Sequence, residues 1–343
     1  MALASVGSLG AERKGSESVD HEVREAIDRI EAVAANDVQG RNIGPLARHV
    51  RGNLARAAAS ILEHPQPHVA IVTGFYMSHA QPPNCETDGP PGTAMLAAGL
   101  SSVGVPCRVC TDEANAPVVR ASLKAADPDG RVPLDIVAQQ EPESSIAEVD
   151  ARWRSGASQV SHVVALERCG PSADGRPRNA AGHDIGRYNA PLERLLDGTR
   201  VSIGIGDLGN EVGMGSLPRQ LVASSVPNGD RIWCKTPCDY PLICGVSNWG
   251  AAALLAALAL LRPEWAPALA AVISPSEAER HLRSAVEQGG AVSGDCPSGT
   301  PYPCLFVDEV SWQRLHETFA EIHRLCGAEA QQGSLARDTA GQT

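Results

Sequence analysis

The fold this sequence predicts is α/β: a mostly parallel sheet with helices on both faces and an active site at the C-terminal ends of the strands. Three observations lead there. Short apolar runs recur along the chain, and each ends in glycine or a polar, mostly acidic residue. Helical patterns separate the runs, which is the alternation that a parallel sheet requires. No composition break or fixed-period repeat divides the 343 residues, a length that one large α/β domain can use.

The elements follow in order. Residues 1–18, rich in Ser, Gly and Ala, are expected to be flexible, and Glu12, Glu17 and Asp20 do not suit a transit peptide. Apolar residues at helical spacing begin at His21 in "VREAIDRIEAVAA". "HVAIVTGF" (68–75) reads as a strand that ends in Thr73 and Gly74, and "VPCRVCTDE" (105–113) as one that ends in Asp112 and Glu113. Between them "GPPG" turns into the helical "TAMLAAGL", for which Thr93 is the expected cap. "VPLDIVA" (132–138) is a shorter strand. "SHVVALERCG" (161–170) ends in Glu167 and Arg168, and "RVSIGIGD" (200–207) runs into a glycine-rich loop. "YPLICGVSNWG" (240–250) ends in Ser247 and Asn248, before the buried helix "AAALLAALALL". The expected domain spans 19–327, with a second flexible tail over 328–343.

Composition removes several function classes. A net charge of −11 with only three lysines (Lys14, Lys124, Lys235) argues against nucleic acid or an anionic membrane as partner. Aromatics are 3% of the chain, too few for a base-stacking platform. The longest apolar run falls well short of the ~20 residues that span a bilayer. Ten cysteines lie between Cys85 and Cys326 without a secretory signal before them, so reduced, buried thiols in a cytoplasmic protein are expected. Neither "CRVC" (Cys107, Cys110) nor "CKTPC" (Cys234, Cys238) has a second pair at zinc spacing. Self-association is left open.

The polar residues at the strand ends carry the chemistry. Ligands of open parallel sheets bind beyond those ends. Thr73, Asp112, Glu113, Glu167, Arg168, Asp207 and Ser247 would therefore meet on one rim. Acids gathered there repel one another unless a cation or a shared proton intervenes. "GIGDLG" (204–209) matches a dinucleotide fingerprint, yet Asp207 and Glu211 flank the place of a pyrophosphate and favour a divalent cation instead. A structural turn with Asp207 as a helix cap is the competing reading. A helical turn after Asp207 would put 207 and 211 on one face. Glu86 and Asp88 are either further site acids or solvated loop residues. Glu167 and Arg168 are either a site acid beside a carboxylate clamp or a surface ion pair. Ser247 and Asn248 either offer amides to an anion or only cap a helix.

Six segments in order, "TGF" (73–75), "ETDGPPG" (86–92), "TDE" (111–113), the stretch from Glu167 to Gly175, "GIGDLGNEVGMG" (204–215) and "GVSNWG" (245–250), resemble the D-glutamate cyclase family over 71–306. The resemblance implies cyclisation of D-glutamate, or a related small amino-dicarboxylate, to 5-oxo-D-proline with loss of water. It also implies a divalent metal, Mn2+ or Mg2+. On this reading Asp207, Asn210 and Glu211 hold the metal, Glu86, Asp88, Glu167 and Arg168 are catalytic, and Thr73, Gly74, Ser247 and Asn248 bind substrate. Leu208 stands where the family pattern has glycine. Two alternatives remain: a nucleotide- or dinucleotide-binding protein, and a metal-dependent hydrolase of a small ester or amide.

Overall fold

The computed structural model describes residues 8–155, 159–196, 198–293 and 304–340, with side chains described from residue 21 to residue 327 within these ranges. Helices α1 (Ser8–Ala34), α2 (Gly44–Val50) and α3 (Asn53–Glu63) lead into strand β1 (Val69–Thr73). A short antiparallel pair, β2 (Tyr76–Met77) and β3 (Asn84–Cys85), precedes α4 (Pro90–Ser102), β4 (Cys107–Asp112), α5 (Ala116–Ala126), β5 (Leu134–Val137) and α6 (Pro142–Arg154). Then come β6 (His162–Leu166), β7 (Val201–Gly206), α7 (Arg219–Ser225), α8 (Gly229–Ile232), β8 (Tyr240–Ile243), α9 (Ser247–Leu261), α10 (Ala266–Val272) and α11 (Pro275–Glu287). The antiparallel pair β9 (Phe306–Val307) and β10 (Val310–Ser311) leads into α12 (Trp312–Ala340). The expected N-terminal segment 1–18 thus contributes residues 8–18 to α1, and residues 1–7 lie outside the described ones.

Six strands form one sheet in the order β5-β4-β1-β6-β7-β8, and every neighbouring pair is parallel. Each apolar run read as a sheet strand is one. The chain starts in the middle at β1, winds outward through β4 and β5, and returns to build β6, β7 and β8 on the other side. The winding direction reverses between β1 and β6, where a crevice opens beyond the strand ends.

The two sheet faces separate cleanly because side chains alternate along a strand. Ile71, Val109, Val164, Ile203 and Ile205 pack into the larger cluster with residues of α1, α3, α4, α9, α11 and α12. Ala70, Val72, Cys110 and Val163 point to the other face, against Ile146, Val149 and Trp153 of α6. Cys107 joins the first face and Cys110 the second, so this pair cannot share a metal ion. Residues 247–260 of α9 are buried on all sides, as the continuous apolar run requires. Among the described residues no helix is long and apolar enough to cross a membrane.

Two expectations need correction. Thr93 does not cap α4: Gly89 occupies the N-cap position, and Thr93 lies inside the first helical turn. The thiols are not all free, since Cys304 is disulfide-bonded; Cys85, Cys107, Cys110, Cys169, Cys234, Cys238, Cys244 and Cys326 are free.

Candidate active site

The glycine-rich loop after β7 does cradle an anion, and the anion belongs to the protein. Glu211 folds back so that its Oε1 accepts from the backbone N–H of Asp207 (3.0 Å) and Leu208 (2.9 Å), and its Oε2 from Gly209 (2.7 Å). Residues 207–209 form a bend, so the expected helical turn is absent and Asp207 caps no helix. The two carboxylates come together through this fold-back instead. A Cβ on Gly206 would lie 2.7 Å from the Glu211 carboxyl carbon, which is why glycine ends the strand. Asn210 is anchored as well, its Nδ2 donating to the Arg178 carbonyl at 2.9 Å.

A reciprocal pair of helix caps joins α4 to α9. Asp88 accepts from the amides of Ser247 (Oδ2, 2.7 Å) and Asn248 (Oδ1, 2.8 Å), two of the open donors at the start of α9. Asn248 Oδ1 in turn accepts from Gly89 (3.1 Å) and Gly92 (2.7 Å) at the start of α4, while its Nδ2 donates to the Thr87 carbonyl at 3.0 Å. The group held by the Ser247 and Asn248 amides is therefore the Asp88 carboxyl. The Ser247 hydroxyl donates to Glu167 Oε2 at 2.6 Å and fixes that carboxyl group. Glu167 sits at φ 43°, a left-handed backbone that a non-glycine residue adopts at a cost of roughly 1–3 kcal/mol, the kind of strain that clusters at functional sites.

Arg168 turns elsewhere. Its side chain is fully buried, and it donates to Asp112 Oδ2 (2.7 Å) and to the carbonyls of Gly74 (2.7 Å) and Ala190 (2.5 Å). It is neither half of a surface ion pair with Glu167 nor a wall of the cavity; with Asp112 it braces the ends of β1, β4 and β6. Glu113 accepts from the Gln139 amide at 3.0 Å, away from the site. Thr73 is buried, and its Oγ1 has no partner.

What remains is a cavity of about 290 Å³ lined in part by Arg41, Glu86, Glu167, Asp207, Asn210 and Asp308. Glu86 is 7% exposed, and its Oε1 makes no hydrogen bond, so a buried carboxyl oxygen stands at the cavity without a partner. The solvated-loop reading of Glu86 and Asp88 does not hold, because both are buried. Burial pushes the carboxyl groups of Glu86, Asp88 and Glu167 well above the usual carboxylate range, and neighbouring acids add to it. Burial raises Asp207 as well, against the pull of Arg41.

Sequence reading missed Arg41 and Asp308. Arg41 lies between α1 and α2, and its Nη1 donates to Asp207 Oδ2 at 2.6 Å. The same Nη1 lies 3.6 Å from Asp308 Oδ2, at the β9–β10 turn. Burial alone would lower the Arg41 pKa, but Asp207 and Asp308 outweigh it and raise it, so the guanidinium stays charged. The cation demanded by crowded acids is thus partly supplied by the chain. No spacing rule finds Arg41, which follows no strand; "FVDEV" does carry a weak hairpin signal, two apolar flanks around "DE".

The carboxylates suit a hard divalent cation. Potential ligand oxygens of Asp88, Asp207 and Asp308 lie within 4.8 Å of one another, as do those of Glu167, Asp207 and Glu211. An all-oxygen set with the unpartnered Glu86 Oε1 nearby fits Mg2+ or Mn2+ better than zinc.

Comparison with known proteins gives the family. Residues 30–322 match the family model described as "D-glutamate cyclase-like, C-terminal". The mitochondrial D-glutamate cyclase of Homo sapiens is 31% identical over 244 residues, which are 68% of this chain and 39% of that protein. The chain therefore spans about two fifths of the length of the curated relative it matches. On the family match and the shared sequence together, this chain belongs to the D-glutamate cyclase-like family.

Proposed function

We propose that this chain is a lyase that closes an amino-dicarboxylate of the D-glutamate type into a 5-oxoproline with release of water. The observation that carries the reading is the unpartnered Glu86 carboxyl oxygen at an acid-lined cavity, in a chain of this family. Lactam closure needs a neutral amine, an electrophilic carboxyl carbon and a protonated leaving oxygen. Carboxyl groups raised by burial keep a proton to higher pH than ordinary carboxylates and can exchange it within the site.

Glu167, oriented by Ser247, takes a proton from the substrate ammonium. Glu86, whose protonated form burial favours, delivers one to the departing oxygen. The second proton leaves the attacking nitrogen for the same oxygen, which departs as water, and transfer of the proton held by Glu167 to Glu86 returns both residues to their starting forms. Asp88 ties α4 to α9 and keeps Glu167 and Glu86 in register. The 290 Å³ cavity has room for a small substrate and would hold its amine against its carboxyl carbon. Asp207, Asp88 and Asp308 would hold a divalent metal, which supplies Lewis-acid polarisation of the reacting carboxyl group.

The nucleotide reading loses its main support, because Glu211 occupies the three loop amides that would cradle phosphate. A metal-dependent hydrolase would use the same acids, and a chromogenic ester panel tests that reading. The decisive measurement is proton NMR of D- and L-glutamate incubated with the protein, with and without manganese. Appearance of 5-oxoproline from one enantiomer is the expected result; two unchanged spectra would remove the reading.

A further inference from the structure

We infer that Arg41 forms a carboxylate-binding subsite, which takes the carboxylate that does not react. The inference rests on the cyclase reading for the identity of the substrate and on geometry for the subsite itself.

Two carboxylates brought into a cavity of buried acids meet repulsion unless a cation faces them. Arg168 is committed to Asp112 and two carbonyls, so it does not serve. Arg41 lines the cavity, and both of its side-chain contacts run through Nη1, to Asp207 and Asp308. Among the described residues its Nε and Nη2 have no hydrogen-bond partner. Those two nitrogens form one edge of the planar guanidinium, the edge that accepts a carboxylate through two parallel hydrogen bonds. The side chain is 20% exposed and lines the cavity.

The loop is built to hold this residue in place. Asp37 accepts from the amides of Arg41 (2.8 Å), Asn42 (2.7 Å) and Ile43 (3.2 Å). Gln39 Nε2 donates to the Asp308 carbonyl at 3.2 Å, tying the loop to the β9–β10 turn. Two adjacent residues of that turn, Asp308 (φ 48°) and Glu309 (φ 63°), take left-handed backbone to bring Asp308 beside Arg41. The guanidinium is pre-organised, with one nitrogen held by acids and one edge presented.

Chemistry decides which carboxylate goes there. An arginine fork stabilises the ionised form, which is a poor electrophile. The carboxyl group that must be attacked belongs near the proton donor Glu86, and the other one belongs on Arg41. The product keeps only that second carboxylate, which makes 5-oxo-D-proline and its carboxamide a clean pair of probes.

The test is calorimetric titration of wild type, Arg41→Gln and Arg41→Lys with 5-oxo-D-proline, with its carboxamide, and with glutarate. Arg41→Gln is expected to weaken 5-oxo-D-proline about 10- to 100-fold and to leave the carboxamide unchanged. Arg41→Lys, which keeps the charge and loses the fork, restores part of the affinity and guards against a folding defect in the glutamine variant. Equal affinity of wild type and Arg41→Gln for 5-oxo-D-proline overturns the subsite, as does an equal loss for acid and carboxamide. Failure of wild type to bind either 5-oxo-D-proline or glutarate also overturns it. Glutarate binding that depends on Arg41, without any turnover of D-glutamate, keeps the subsite and removes the cyclase reading.

Discussion

Glu86 and Glu211 are both buried acids, yet they do opposite work. Glu211 has both oxygens satisfied by backbone amides, so it shapes the loop. Glu86 has an oxygen with no partner, and burial favours its protonated form. A buried polar group without a partner costs roughly 1–3 kcal/mol and is kept where it has a task. The variant Glu86→Gln preserves size and the neutral state but cannot deliver a proton. Turnover of D-glutamate is therefore expected to fall by about 100-fold or more, while the melting temperature stays level or rises. Steady-state kinetics beside calorimetric melting checks both halves; turnover within a few-fold of wild type would remove Glu86 from the chemistry. The sequence placed Glu86, Glu167 and Asp207 in one site because each follows a strand or opens the loop beyond one. It could not separate Glu211 from Asp207, because hydrogen-bond partners are not written in spacing. For the same reason the sequence left Arg168 between a carboxylate clamp and a surface ion pair: a lone "ER" does not reveal that Asp112, fifty-six positions away, takes the guanidinium.

At the scale of elements, the tie between α4 and α9 is what sets the acids in place. Asn248 answers two open N–H groups at the start of α4, and Asp88 answers two at the start of α9. Neither helix has a side-chain cap from its own N-cap residue. Asn248 comes from α9 and Asp88 from the residue just ahead of the α4 N-cap, so losing either loosens the docking as well as the helix end. Asn248→Ala should thus cost about 1–3 kcal/mol, a range that extends past the roughly 0.5–2 kcal/mol of an ordinary cap deletion. Urea unfolding followed by circular dichroism measures it, and a loss below half a kcal/mol would mean that water replaces the amide without penalty. Ser247 leaves the same turn toward Glu167, so the variant is expected to raise KM and lower kcat together. These helices were legible as helices, through an apolar run and a Gly-Pro-Pro-Gly turn. Their reciprocal capping was not, because Asp88 and Asn248 lie 160 positions apart and each looks like a local cap by itself.

The whole molecule was legible where a single physical rule governs it. A parallel sheet covered on both faces buries its central strands, so β1 and β6, with all five positions buried, read as continuous apolar runs. Arg41 and Asp308 were illegible because they reach the site from loops outside that sheet, at a sequence separation of 166 in the case of Arg41 and Asp207. The same dense burial has a consequence for acid stability. His162 on β6 and His281 on α11 are almost fully buried, and burial lowers each from 6.5 to about 4, with His64 and Arg280 as the next contributions. Both are neutral in the folded protein at pH values where the unfolded chain takes up a proton. Between pH 6.5 and about 4 the unfolded state binds more protons, so the stability contributed by these two sites is full above 6.5 and falls as pH falls through that window. The buried acids act in the opposite direction: their raised values let the folded state hold protons that the unfolded state has released, so their contribution weakens as pH rises. A pH series on wild type alone would mix the two. Comparison with the double variant His162→Gln, His281→Gln isolates the histidines. Relative to that variant, wild type is expected to lose about 2 kcal/mol per histidine between pH 7 and pH 5. Urea midpoints across the range measure the difference, and parallel stability curves for the two proteins would show that these rings take up protons without unfolding.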